Sequence, residues 1–113
     1  MPMKKALLLL TLALLAYNPL SWAEDGAFWI DVRTAEEYQE GHVEGAVNIP
    51  YEEIVGRIDE VTEDPDALIY VYCRSGRRSG IAQSMLLDAG YTQVFNLGGL
   101  EEARKKAEAE AKH

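Results

Sequence analysis

The sequence predicts an α/β fold: a mostly parallel central sheet of four to five short strands, flanked by helices on both faces. Three observations lead there. Short apolar runs of strand length alternate with stretches of helical spacing, the order that builds a parallel sheet through right-handed crossovers. The run from Ala67 to Tyr72 is apolar without interruption, which suits a central strand covered on both faces. It ends at Cys73, passes through a loop rich in arginine and glycine, and enters a helical pattern. In open sheets of this kind ligands bind beyond the carboxyl ends of the strands, where Cys73 falls.

Taken in order, the first 23 residues read as a secretory signal to be cleaved. Lys4 and Lys5 make a basic start, Ala6 to Ala16 is an apolar core of signal length, and Ser21-Trp22-Ala23 ends in small residues. The apolar core is short for a membrane span, so no stable membrane association is expected after cleavage. Export from the cytoplasm is expected, and the expected mature chain is one domain, residues 24–113, acting as a monomer. That domain retains 9 basic residues against 19 acidic ones, a formal charge of −10, which argues against nucleic acid or anionic lipid as a partner.

Phe28 to Val32 reads as a buried strand that carries one carboxylate, Asp31, for which Arg33 or an arginine of the cysteine loop could be the partner. Thr34 and Glu37 fit a capping box that opens a short helix closed by Gly41, with Tyr38 facing inward. His42, just past that helix, is read as a backbone-bonding residue rather than a catalytic one. A short second strand ends at Pro50. Tyr51, Ile54, Val55 and Ile58 recur at helical spacing and predict an amphipathic core helix reaching about Val61. Beyond the cysteine loop, Ile81, Ala82, Met85, Leu86 and Ala89 mark a helix closed by Gly90. Tyr91 to Phe95 reads as another strand, and Asn96 to Gly99 as a turn. The tail from Leu100 is alanine-rich and charged. Glu101–Lys105 and Glu102–Lys106 pairs support it as a helix whose last turns fray.

Export implies an oxidising compartment, in which cysteines normally pair. This chain has one. Three arginines within five residues make an apolar setting improbable for Cys73, so it reads as a working thiol. A helix N-terminus and nearby cations lower a thiol pKa, so Arg74, Arg77 and Arg78 with the following helix are expected to keep Cys73 ionised. Gly76 gives the loop freedom to curl its N–H groups inward. Such a positive loop suits a small oxyanion carrying a transferable group, held by arginines while Cys73 attacks.

Two enzyme classes cradle a cysteine this way, and loop length separates them. Cysteine-dependent phosphatases need an arginine six residues after the cysteine, where Ser79 stands here; the arginine lies five residues on, at Arg78. The six-residue loop resembles that of the rhodanese sulfurtransferases, particularly the periplasmic single-domain kind. Asp31-Val32-Arg33, then Glu36, Tyr38, Gly41-His42, Gly45-Ala46 and Asn48-Ile49-Pro50, are similar to the family's upstream signature. Tyr72 to Ser79 is similar to its active loop, and Gly90-Tyr91 with Leu97-Gly98-Gly99 to its closing segment. Leu100 departs from the tryptophan that many relatives carry there, a matter of packing.

The resemblance implies a single rhodanese-like domain working as a thiosulfate sulfurtransferase. Cys73 would take the outer sulfur of thiosulfate as a persulfide and pass it to cyanide or a thiol. Arg74, Ser75, Gly76, Arg77, Arg78 and Ser79 would bind the donor, with Asp31 and Arg33 in support. No metal or organic cofactor is called for. The competing expectation is a sulfur-carrying or regulatory binding module with little turnover.

Overall fold

The computed structural model describes residues 26–112, so the signal segment expected over 1–23 lies outside the described residues. Four parallel strands form one sheet in the order β2-β1-β3-β4: β1 (Phe28–Asp31), β2 (Val47–Asn48), β3 (Leu68–Cys73) and β4 (Gln93–Gly99). Strand β3 is central, as its unbroken apolar run demands.

Alternation along the strands sends side chains to two cores. On one face Ile30, Ile69, Val71, Cys73 and Val94 meet Ile54, Ile58, Ala82 and Leu86. The opposite face sets Tyr72, Trp29 and Leu97 against Val43, Ala46 and Ala103. Helix α1 (Ala35–Glu40) is opened by the expected capping box, in which the Glu37 N–H donates to Thr34 Oγ1 and Thr34 N–H donates to Glu37 Oε1. The Tyr38 hydroxyl donates to Ala46 O at 2.6 Å. His42 is structural: its ring stacks on Tyr38 and its Nδ1 lies 2.7 Å from Tyr38 O.

The segment 51–60 is not one helix. It divides into a 3-10 turn Tyr51–Glu53, α2 (Ile54–Arg57) and a second 3-10 turn Ile58–Glu60. Tighter winding keeps Ile54 and Ile58 inward but turns Val55 out, 43 % exposed. Helix α3 (Arg77–Asp88) starts inside the arginine loop, four residues before the expected periodic run, and buries Ser79, Ala82 and Leu86 while Ile81 and Ala89 face solvent.

The largest departure is in β4. Asn96 to Gly99, expected to turn, instead continue the strand. Paired glycines suggest a turn, yet here they let the strand pass close to the cysteine loop: a Cβ on Gly99 would collide with the Arg74 carbonyl. A register shift between Val71 and Cys73 pairs Cys73 with Gly99.

The alanine-rich tail forms helix α4 (Leu100–Ala111), as expected. Ala103 is fully buried, and Lys106 pairs with Glu110 while lying 5.0 Å from the centre of the Tyr70 ring. Glu102 is engaged elsewhere, accepting the Gly99 N–H at 3.0 Å as the N-terminal cap.

Candidate active site

Cys73 is the last residue of β3, and its sulfur is faced by the first turn of α3. Three donors converge on Sγ: Gly76 N–H at 3.0 Å, Ser79 N–H at 3.4 Å and the Ser79 hydroxyl at 3.3 Å. The chain can curl this tightly because Gly76 takes φ +101°, a left-handed conformation that costs glycine little. Helix α3 begins one residue later, so amides without intrahelical partners point at the sulfur.

The expectation that the neighbouring arginines keep Cys73 out of an apolar setting is corrected. Cys73 is completely buried and packs into the core of the α3 face, its sulfur at the floor of the loop. Burial pushes the thiol pKa up, while the Ser79 hydroxyl, then the N–H groups of Ser79, Gly76 and Ser75, pull it down; the net value is below that of an ordinary thiol. The groups that lower the thiol pKa most are amides and a hydroxyl rather than the arginine cluster.

The arginines divide the remaining work. Arg78 donates to both carboxylate oxygens of Glu37, at 2.9 and 3.1 Å. Arg74 lies 3.6 Å from the same carboxylate but is 74 % exposed, and Arg77 faces solvent. Chiefly through its bonds to Arg78, the Glu37 carboxyl is pulled down to about 2. Ser75 is exposed at the tip of the loop.

Asp31 and Arg33 are brought together, but away from the sulfur. Arg33 grips the Asp31 carboxylate through Nε and Nη2, at 2.7 to 3.1 Å, and also donates to Gly41 O. Its guanidinium lies 5.8 Å from the centre of the Tyr72 ring. The hydrogen bond to Asp31 raises the Arg33 pKa. The pair locks the end of β1 to the turn after α1, and no cysteine-loop arginine takes part.

Two site residues were missed in the sequence. Glu37 was absorbed by its role in the capping box, and nothing local announces that its carboxylate also spans to Arg78. Asn96 looked like a turn residue; on β4 its amide reaches Ser79, Gly76 and Gly98. Among the described residues no group of three or more His, Cys, Asp or Glu side chains could hold a metal ion, and no helix is long and apolar enough to cross a membrane.

Comparison with known proteins agrees with this geometry. A profile of the rhodanese-like domain matches residues 16–106. The chain is 47 % identical over 94 residues to the thiosulfate sulfurtransferase PspE of Escherichia coli, covering 83 % of this chain and 88 % of that one. It is 40 % identical over 70 residues to a sulfurtransferase of Allochromatium vinosum, covering 62 % and 64 % of the two chains. A solved structure described as a rhodanese with anions from E. coli superposes with a TM-score of 0.66 at 47 % identity, over 68 % of this chain and 91 % of the other. The motifs, the four-stranded parallel sheet and these matches together place the chain in the rhodanese-like family.

Proposed function

We propose that this chain is a thiosulfate sulfurtransferase that carries sulfane sulfur on Cys73. The observation behind this reading is the convergence of the Gly76 and Ser79 amides and the Ser79 hydroxyl on one sulfur at the end of β3. A thiolate so held attacks the outer sulfur of thiosulfate. A bond forms between Sγ and that sulfur, the S–S bond of thiosulfate breaks, and its electron pair leaves with sulfite. Negative charge then rests on the outer sulfur of the persulfide, within the field of the loop amides. Cyanide or a thiolate acceptor attacks that atom and leaves as thiocyanate or as a new persulfide, returning Cys73 as thiolate. The two half-reactions predict ping-pong kinetics.

Burial of the sulfur favours a slim donor whose terminal atom can reach the floor of the loop. Arg74 is the freer cation for the donor oxygens, because Arg78 is engaged by Glu37. Ser75, Gly76, Arg77 and Ser79 complete the donor site through loop amides and local positive charge, while Asp31 and Arg33 support it from a distance. The chain works as a monomer in the periplasm after loss of residues 1–23.

The test is sulfite release from thiosulfate with cyanide as acceptor. Activity in the wild type and none in Cys73→Ser is expected. Equal activity in both would remove Cys73 from the reaction.

A further inference from the structure

The Ser79 hydroxyl is fully buried, has one proton and faces two acceptors. Cys73 Sγ lies 3.3 Å from Oγ, and Asn96 Oδ1 lies 2.7 Å away on the other side. The orientation of the Asn96 amide is fixed by its other bonds. Nδ2 donates to Gly76 O at 2.9 Å, and Oδ1 accepts the Gly98 N–H at 2.9 Å. Turning the amide over would set a carbonyl against a carbonyl and an NH2 against an N–H, so Oδ1 can only accept from Ser79. Gly76 and Gly80 border this amide, and a Cβ on Gly80 would lie only 3.3 Å from Nδ2.

With Cys73 protonated, a continuous chain is satisfied: the thiol donates to Ser79 Oγ, and the hydroxyl donates to Asn96 Oδ1. With Cys73 ionised, the thiolate and the amide oxygen require the same proton. We propose that Asn96 is a positioning residue that competes with Cys73 for the Ser79 hydroxyl, so that the hydroxyl turns to the sulfur when that atom is ionised and back to the amide when it is protonated or bonded to a second sulfur.

This deepens the sulfurtransferase reading and rests on Cys73 being its nucleophile. Competition from Asn96 leaves the free thiolate less stabilised than three unopposed donors would, and so more nucleophilic. Once Sγ carries the transferred sulfur, negative charge has moved to the outer atom and the hydroxyl returns to Oδ1. Asn96 thereby favours the loaded state over the empty one.

The charged and titratable groups on the elements around the cysteine loop are Arg74, Arg77 and Arg78 with Glu37 against them, Tyr51 near Arg78, and, farther from the sulfur, the Asp31–Arg33 pair at the end of β1 and Glu102 at the start of α4. The variants below alter none of them.

The test is the pH dependence of Cys73 alkylation by iodoacetamide, which needs no turnover and so stands apart from the assay of function. Removing the donor in Ser79→Ala is expected to raise the apparent pKa by about one unit, the size of one hydrogen bond to a charged group. Asn96→Ala is expected to lower it by roughly half a unit, because the hydroxyl then serves the sulfur alone. The double variant is expected to match Ser79→Ala.

A purely structural Asn96 predicts the opposite sign, since releasing Gly76 O would loosen the loop and draw its N–H away from the sulfur. A raised pKa in Asn96→Ala, no shift, or an equal shift with and without Ser79 would each overturn the proposal. If Asn96→Ala does not fold, the Gly98 amide proton resonance decides. It should move with Cys73 ionisation in the wild type, as the hydroxyl leaves the oxygen the two share, and stay still in Ser79→Ala. Movement in both, or in neither, would equally overturn it.

Discussion

Glu37→Gln isolates one charge that the structure uses twice. The carboxylate accepts two hydrogen bonds from Arg78 and caps α1 through Thr34. Held at about 2 in the folded chain against an ordinary 4.5, it has a ceiling contribution of about 3 kcal/mol at neutral pH. Both partners retain some contact with water, 18 % for Glu37 and 23 % for Arg78, and screening brings the expected loss to about 1–2 kcal/mol. For a domain of this size that is a fall in Tm of roughly 5–15 °C.

The pH dependence follows from the direction of the shift. A carboxyl held low when folded stabilises the protein fully above its ordinary value of 4.5, and that contribution fades as the pH falls toward 2. Glutamine keeps an acceptor oxygen for the cap but not the charge. Urea unfolding followed by circular dichroism should show wild type and variant separated at pH 7 and converging as the solution is acidified below 4.5. A gap that stays constant across that range, or no gap at pH 7, would refute the assignment of this carboxylate as a charged tie between α1 and the cysteine loop.

The remaining predictions concern the loop and its supports. Arg74→Ala should raise the KM for thiosulfate several-fold with kcat little changed, and more than Arg78→Ala does, since Arg74 is 74 % exposed while Arg78 is tied to Glu37; steady-state kinetics in which Arg78→Ala has the larger KM effect would reverse that ranking. Gly76→Ala forces a side chain into φ +101° at a cost of about 1–3 kcal/mol and should withdraw the N–H from the sulfur, raising the pH at which iodoacetamide reacts; an unchanged profile would mean that this amide does not hold the thiolate. Asp31→Ala leaves the buried Arg33 guanidinium unpaired and should cost about 3–5 kcal/mol in urea unfolding, whereas a loss under 1 kcal/mol would show the pair to be dispensable.

The sheet was legible because strand burial leaves a direct mark on sequence. Ala67 to Tyr72 could hardly be anything but a covered strand, and the Thr34–Glu37 capping box is a local chemical pattern that the structure reproduces. Cys73 stood out through the sharp change in composition after it. Less was legible where structure depends on contacts distant in sequence. Asn96 and the paired glycines look like a turn because glycine is common in turns; only the neighbouring strand, pairing Cys73 with Gly99, reveals them as the wall of the site. The inward-curled loop amides expected from Gly76 and the helix start do contact the sulfur, whereas the weight given to the arginines was misplaced: arginine is conspicuous in a sequence, and the Ser79 hydroxyl that joins the amides is not. Glu37 was hidden for a related reason: its local partner is three residues away and its distant one forty-one.

The most direct test of the central claim is the intact mass of the purified chain after exposure to thiosulfate and removal of excess donor. A gain of one sulfur atom is expected, lost on adding cyanide and absent in Cys73→Ser. A wild-type mass that stays unchanged while sulfite is nevertheless released would contradict sulfur transfer through a Cys73 persulfide.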